Sequence, residues 1–144
     1  MGDRLRPLAV LWRRHGLRGV RIAVWTVRAR RRVRRQLVRG GMDAVRPPVP
    51  PAGGTTDRTV VLRALHRVGA NCLERSLVLQ RWDARQRTSR TLVIGVTAPS
   101  GGFHAHAWLD GDADPHRAEM TELLRRDPPA GWLPAGVQER STRP

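Results

Sequence analysis

The stretch Asn71-Cys72-Leu73-Glu74-Arg75-Ser76-Leu77-Val78-Leu79-Gln80 decides how the chain reads. Asn is a residue type that caps helices by accepting a backbone N–H, so a helix is expected from Cys72 to about Ala84. Leu73, Leu77, Leu79 and Trp82 would then face inward. The chain's single cysteine falls in the first turn of that helix. Partial positive charge at a helix start favours a thiolate over a thiol, and free amides there can face a developing oxyanion.

A thiolate needs a base, and histidine is the usual one. Further on, Phe103-His104-Ala105-His106-Ala107-Trp108-Leu109 reads as a strand. His104 and His106 are two residues apart and would share one face, so spacing leaves the choice between them open. A third, acidic group should hold the imidazole, and Asp110, Asp112, Asp114 and Glu119 all follow closely. Ser76, four residues past Cys72, reads as a helix-packing contact rather than a nucleophile.

Working outward, Arg90–Val96 is a β-branched run and reads as a strand. Pro99-Ser100-Gly101-Gly102 would turn it into the antiparallel return strand. His116–Met120 is expected to pair as a third strand, with a short helical pattern at Thr121–Arg126 and an irregular tail over residues 127–144. Upstream, Thr55-Thr56-Asp57 offers a cap for a helix through Val68, with Val60, Val61, Leu62, Leu65 and Val68 buried and Gly69 ending it. Residues 47–54, Pro-Pro-Val-Pro-Pro-Ala-Gly-Gly, read as a linker. Residues 1–46 form an Arg-rich helical segment, helical over 8–39, stopped at Gly40-Gly41 and weakened at Gly16 and Gly19. Trp12 and Trp25 read as packing anchors within it. The organisation is therefore a helical extension, a linker, a domain over residues 55–126 and a tail. Helices first and a small antiparallel sheet after make an α+β domain.

Charge is unevenly placed. Residues 1–46 hold 14 Arg against two Asp, a net of +12 out of the chain's +15. There is no Lys, so every formal positive charge is Arg. Such a segment can meet phosphates, a partner protein or an anionic membrane surface. One Phe, no Tyr and five Trp give no interleaved stacking platform, which argues against nucleic acid. Arginines interrupt Leu8–Val27, so no spanning helix is expected, and no signal-peptide core is visible. One cysteine excludes an intrachain disulfide. A cytoplasmic location is expected, with loose membrane attachment as the variant.

Two plainer readings compete with catalysis. An isolated Cys often serves as a small buried hydrophobe, and the basic segment would then belong to a binding module with an inert thiol. His104, His106, Asp110, Asp112 and His116 could supply metal ligands, but zinc spacing is absent and Asp-Gly-Asp-Ala-Asp-Pro fits a calcium loop poorly. No metal and no cofactor is expected.

Three blocks, residues 71–80, Leu92-Val93-Ile94-Gly95-Val96 and Ala105-His106-Ala107-Trp108-Leu109, together resemble the transglutaminase-like leader peptidases of lasso-peptide biosynthesis, stand-alone cysteine proteases. The resemblance covers roughly residues 55–125 in order and spacing. It implies a transglutaminase-like, papain-like core with Cys72 as nucleophile and His106 as base, leaving His104 a bystander or a substrate-facing group. Asp110 stands where the family commonly has Glu. The family's catalytic Asp lies on the strand after the hairpin, about a dozen residues past the histidine, where this chain has Ala118-Glu119. Glu119 is the expected acid, with Asp114 (through a shortened hairpin) and Asp110 as alternatives. The resemblance also implies a precursor peptide as substrate, a separate small leader-recognition protein, and a macrolactam-forming cyclase as partners.

Overall fold

Asn71 does cap a helix. Its Oδ1 accepts the Glu74 backbone N–H at 2.8 Å, and the Glu74 carboxylate accepts the Asn71 N–H at 3.3 Å, a reciprocal capping box. The computed structural model describes residues 6–97, 100 and 102–135, with side chains from Gly16 onward. Over these residues the chain is α+β, with three α-helices and one three-stranded antiparallel sheet. It divides into two compact units, Met1–Ala70 and Asn71–Pro144.

In the first unit, α1 (Arg6–Gly40) runs helical except at Gly16, where φ is 58°, a value glycine adopts without a Cβ penalty. Ile22, Trp25, Ala29 and Val33 recur at helical spacing and are buried. The chain then turns back along α1. Trp25 Nε1 donates to the Pro48 carbonyl at 3.2 Å, and the Arg46 N–H donates to Gln36 Oε1 at 2.9 Å. Pro47 and Pro50 are buried against this return. Asp57 accepts the Gly54 N–H at 2.9 Å and pairs with Arg18 at 2.7 Å. It ends a short 3-10 turn that leads into α2 (Arg58–Arg67), which packs on α1. Val60, Val61 and Leu65 are buried as expected, while Leu62 and Val68 are half-buried. Gly69 takes φ 63° just past the helix. Trp12 lies outside the described side chains.

In the second unit, α3 (Cys72–Arg85) is buried on almost every side from Ser76 to Ala84. Leu77, Leu79 and Trp82 are in the core, and Leu73 is half-buried. The polar residues that share this burial are tied down. Gln80 Nε2 donates to the Arg90 and Arg126 carbonyls at 2.8 and 2.9 Å, and Asp83 pairs with Arg90 at 3.1 Å. These ties fix α3 to the ends of two strands, because a buried amide left unmade costs about 1–3 kcal/mol. The strands are β1 (Leu92–Val96), β2 (Ala105–Leu109) and β3 (Thr121–Arg126), in the order β2-β1-β3. On β1, Gly95 pairs with His106 of β2, and the β1–β3 ladder slips between Ile94 and Gly95. The turn expected at Pro99-Ser100-Gly101-Gly102 lies partly outside the described residues.

The third strand differs from expectation. Arg117–Glu119 is a 3-10 turn, and Thr121–Arg126 is the strand rather than a helix. Six residues are too few for a stable isolated helix, whatever their propensity. Pairing along the free edge of β1 satisfies their backbone instead. The tail is also less irregular than its Pro and Gly content implies. A turn at Ala130–Trp132 buries Trp132, whose carbonyl accepts from Arg81 Nη1 at 3.1 Å while the guanidinium lies 5.3 Å from the indole centroid. Burial, then repulsion from Arg85, lowers the Arg81 pKa from its ordinary value. Residues 136–144 lie outside the described part. Among the described residues, no helix is long and apolar enough to cross a membrane.

Candidate active site

Cys72 is the first residue of α3, half-buried, with a free thiol. The first four amides of any helix lack helical acceptors. Here the Asn71 side chain takes the Glu74 N–H, and the Arg75 N–H begins the ladder by donating to the Asn71 carbonyl at 2.9 Å. That leaves the amides of Cys72 and Leu73 as the two the capping box does not engage. The cap therefore fixes the backbone around Cys72 and keeps donors beside its sulfur.

One turn on, Ser76 carries out the packing role expected of it. Its Oγ donates to the Ala107 carbonyl at 3.1 Å, a buried bond to the residue next to His106. Through this bond and the packing of α3 on β2, the cysteine helix is registered against the histidine strand.

The two histidines part company. His104 precedes β2 and is exposed, and its backbone N–H donates to Thr97 Oγ1 in the hairpin at 3.1 Å. His106 is within β2, its side chain 16% exposed, and its Nε2 lies 2.8 Å from Asp114 Oδ2. An ionised carboxylate only accepts, so Nε2 carries the proton of this bond, and whenever the ring is neutral Nδ1 presents its lone pair.

Among the four acids, Asp114 is the one at the imidazole. Glu119, the expected acid, is exposed at the end of the 3-10 turn, its backbone N–H donating to the His116 carbonyl at 3.1 Å. Its displacement has a local cause: the third strand begins only at Thr121, so Glu119 precedes the strand and takes no place in the ladder with β1. Asp110 is bound by Arg125 and, at 3.3 Å, by Arg117, and these arginines hold its carboxyl below the usual range. Asp112 pairs with Arg90 at 3.1 Å. Asp114 Oδ1 accepts the His116 N–H at 2.9 Å, which closes a turn two residues long and aims Oδ2 at His106. Burial raises the Asp114 pKa, but the hydrogen bonds from His106 and the His116 amide, with the charge of both imidazoles, outweigh it and leave the carboxyl lowered. The sequence signal was present: Asp114-Pro115-His116 is an Asp-Pro turn, whose carboxylate bonds the backbone two residues on.

Trp108 and His116 complete the surroundings. The Trp108 ring stacks on the His106 ring at 6.0 Å between centroids and 21° between planes, and His116 meets His106 edge-on at 5.5 Å. Trp108 is 3% exposed, and its Nε1–H has no hydrogen-bond partner among the described residues. It lies over Gly95, where a Cβ would come within 2.8 Å of Trp108 Cη2 and 3.0 Å of Met120 Cβ. Glycine at the strand position opposite His106 is what lets the indole lie flat beneath the imidazole. Among the described residues, no group of three or more His, Cys, Asp or Glu could hold a metal ion.

A thiol at a capped helix start, and on the adjoining strand an imidazole braced by a carboxylate, are the parts of nucleophilic acyl chemistry. No curated protein and no solved structure shows significant similarity to the chain. Residues 16–124 match the Transglutaminase-like superfamily, a span that takes in most of α1 as well as Cys72, His106 and Asp114, and the chain belongs to that superfamily.

Proposed function

We propose that this protein is a cysteine peptidase that removes the leader from a lasso-peptide precursor, with Cys72 as nucleophile, His106 as base and Asp114 as the acid that orients it. The observation that carries the reading is the His106–Asp114 bond of 2.8 Å on the strand to which the cysteine helix is tied. The three-block resemblance supplies the substrate class. With Nε2–H given to Asp114, Nδ1 takes the Cys72 thiol proton as the sulfur attacks the scissile carbonyl carbon. In this reading the amides of Cys72 and Leu73, which the capping box does not engage, receive the resulting oxyanion. Collapse breaks the C–N bond, the imidazolium gives its proton to the leaving amine, and a thioester to the leader remains. Water, giving a proton to Nδ1, then attacks the thioester carbon. Collapse releases the leader's carboxylate, and the sulfur takes the proton back.

The same thioester could be resolved by an amine, and membership in the superfamily favours keeping that acyl-transfer reading in view. Product mass separates them, since hydrolysis adds water and transfer adds the amine. A separate small leader-recognition protein and a macrolactam-forming cyclase are the proposed partners. The test is Cys72→Ala with precursor and recognition protein supplied. Cleavage should disappear and fast alkylation by iodoacetamide at neutral pH should vanish with it. Unchanged cleavage overturns the reading, and slow alkylation of the parent protein favours an inert thiol in a binding module.

A further inference from the structure

In the first unit, α1 and the returning Pro-rich segment enclose a groove of about 520 Å³. Its floor is apolar, formed by Val20, Val24 and Trp25 on the helix and by Val49 and Pro51 opposite. Val24 is 43% and Val49 66% exposed, so this apolar surface stands in water. Arg21 and Arg28 rim it. The arginine line does not stop there. Arg32, Arg35 and Arg39 border a second hollow of about 260 Å³ further along the same helix. Arg21, Arg28, Arg32, Arg35 and Arg39 fall at steps of seven, four, three and four residues, which places them on one helix face over about 27 Å. The first unit has little to answer this charge: among its described residues the carboxylates are Asp43 and Asp57, and Asp57 is held by Arg18.

We infer that this face docks an acidic segment of a partner polypeptide, with aliphatic side chains at one end seated between Val24 and Val49 and carboxylates running along Arg28, Arg32, Arg35 and Arg39. Charge complementarity fixes the sign of the partner, because the stripe carries guanidinium groups that pair bidentately with carboxylates. The groove fixes its class. Phosphates along a duplex need no apolar floor, and a flat lipid surface does not fill a concavity walled by a Pro-rich segment. A peptide supplies both features, as in helix-in-groove recognition. The inference does not depend on what Cys72 does.

The whole chain is titrated, at roughly 0.15 M salt, with a labelled glutamate-rich peptide of about 20 residues carrying leucines at one end. Three further probes are run alongside: the same peptide with serine for leucine, a DNA duplex of similar length, and phosphatidylglycerol vesicles. The leucine peptide should bind about tenfold or more tighter than the serine peptide. Val24→Asp, and Val49→Asp on the opposite wall, should each erase that difference while Cys72 alkylation stays at the parent rate. A paired Arg28→Glu and Arg32→Glu change should weaken both peptides by about tenfold or more. Tighter binding of duplex or vesicles, equal binding of the two peptides, or indifference to both valine changes overturns the inference.

Discussion

Asp114 uses its two oxygens for different ends, one accepting from the His116 amide and the other from His106, so its own turn sets the angle of the imidazole. Replacing it with Asn keeps the shape but removes the obligate acceptor, and the ring can then adopt the wrong tautomer. Asp114→Asn should lower kcat for precursor cleavage by about a hundredfold or more, whereas Glu119→Gln, at an exposed side chain at the end of its turn, should stay within about twofold. Steady-state kinetics decide it, and the opposite ranking would return the role to Glu119. A pH argument follows with a definite sign. Because the folded-state pKa of Asp114 is lowered, the group contributes stability above the ordinary carboxylate value of about 4 and loses it as pH falls through the lowered value. Unfolding titrations across that acid window should show a shallower loss of stability in Asp114→Asn than in the parent protein.

At the scale of elements, β1 and β2 meet at one demanding point, where Gly95 makes room for Trp108 and Trp108 carries His106. Gly95→Ala would force a Cβ into contact at 2.8 Å with the indole and 3.0 Å with Met120. Overpacking of this kind costs about 1–3 kcal/mol, and here it would also tilt the shelf beneath the imidazole. The denaturant midpoint and the Cys72 alkylation rate should therefore fall together. A lost midpoint with an unchanged rate would mean that Trp108 packs without positioning His106. What the sequence revealed follows the same division between local and distant. The helix at Cys72 was legible because its cap is a four-residue motif, β1 because its β-branched run is continuous, and the strand at His106 because a Pro and Gly turn precedes it as the return strand. β3 was not, since Thr121–Arg126 has helix-forming residues and becomes a strand only by pairing with β1. Glu119 was misplaced for the same reason, because its position depends on where that strand begins. The carboxylate at the imidazole was half legible: Asp114 stood among the candidates, but only the folded turn aims it at His106.

Over the whole molecule, the net charge of +15 is a cost that the fold carries mainly on α1. Arg28 with Arg32, Arg31 with Arg35, and Arg35 with Arg39 are like charges four residues apart, each pair costing about 0.2–0.5 kcal/mol at low salt. Against this stand the exposed ion pairs of the second unit, Asp110 with Arg117 and Arg125, and Glu122 with Arg125, while the more buried pairs of Arg90 with Asp83 and Asp112 are screened less by salt. Exposed pairs contribute little net stability, so screening them removes little. Salt also shortens the reach of the arginine repulsion, from about 30 Å at 0.01 M to below 10 Å at 0.15 M and above. The balance favours relief of repulsion over loss of pairing. Tm, followed by circular dichroism at neutral pH, should therefore rise as sodium chloride is raised from about 0.01 M to about 0.3 M. The rise should shrink when Arg32 and Arg35 are both changed to Gln, because that removes the centre of the stripe. A Tm that falls with salt would mean instead that the exposed pairs around Asp110 outweigh the charge on α1.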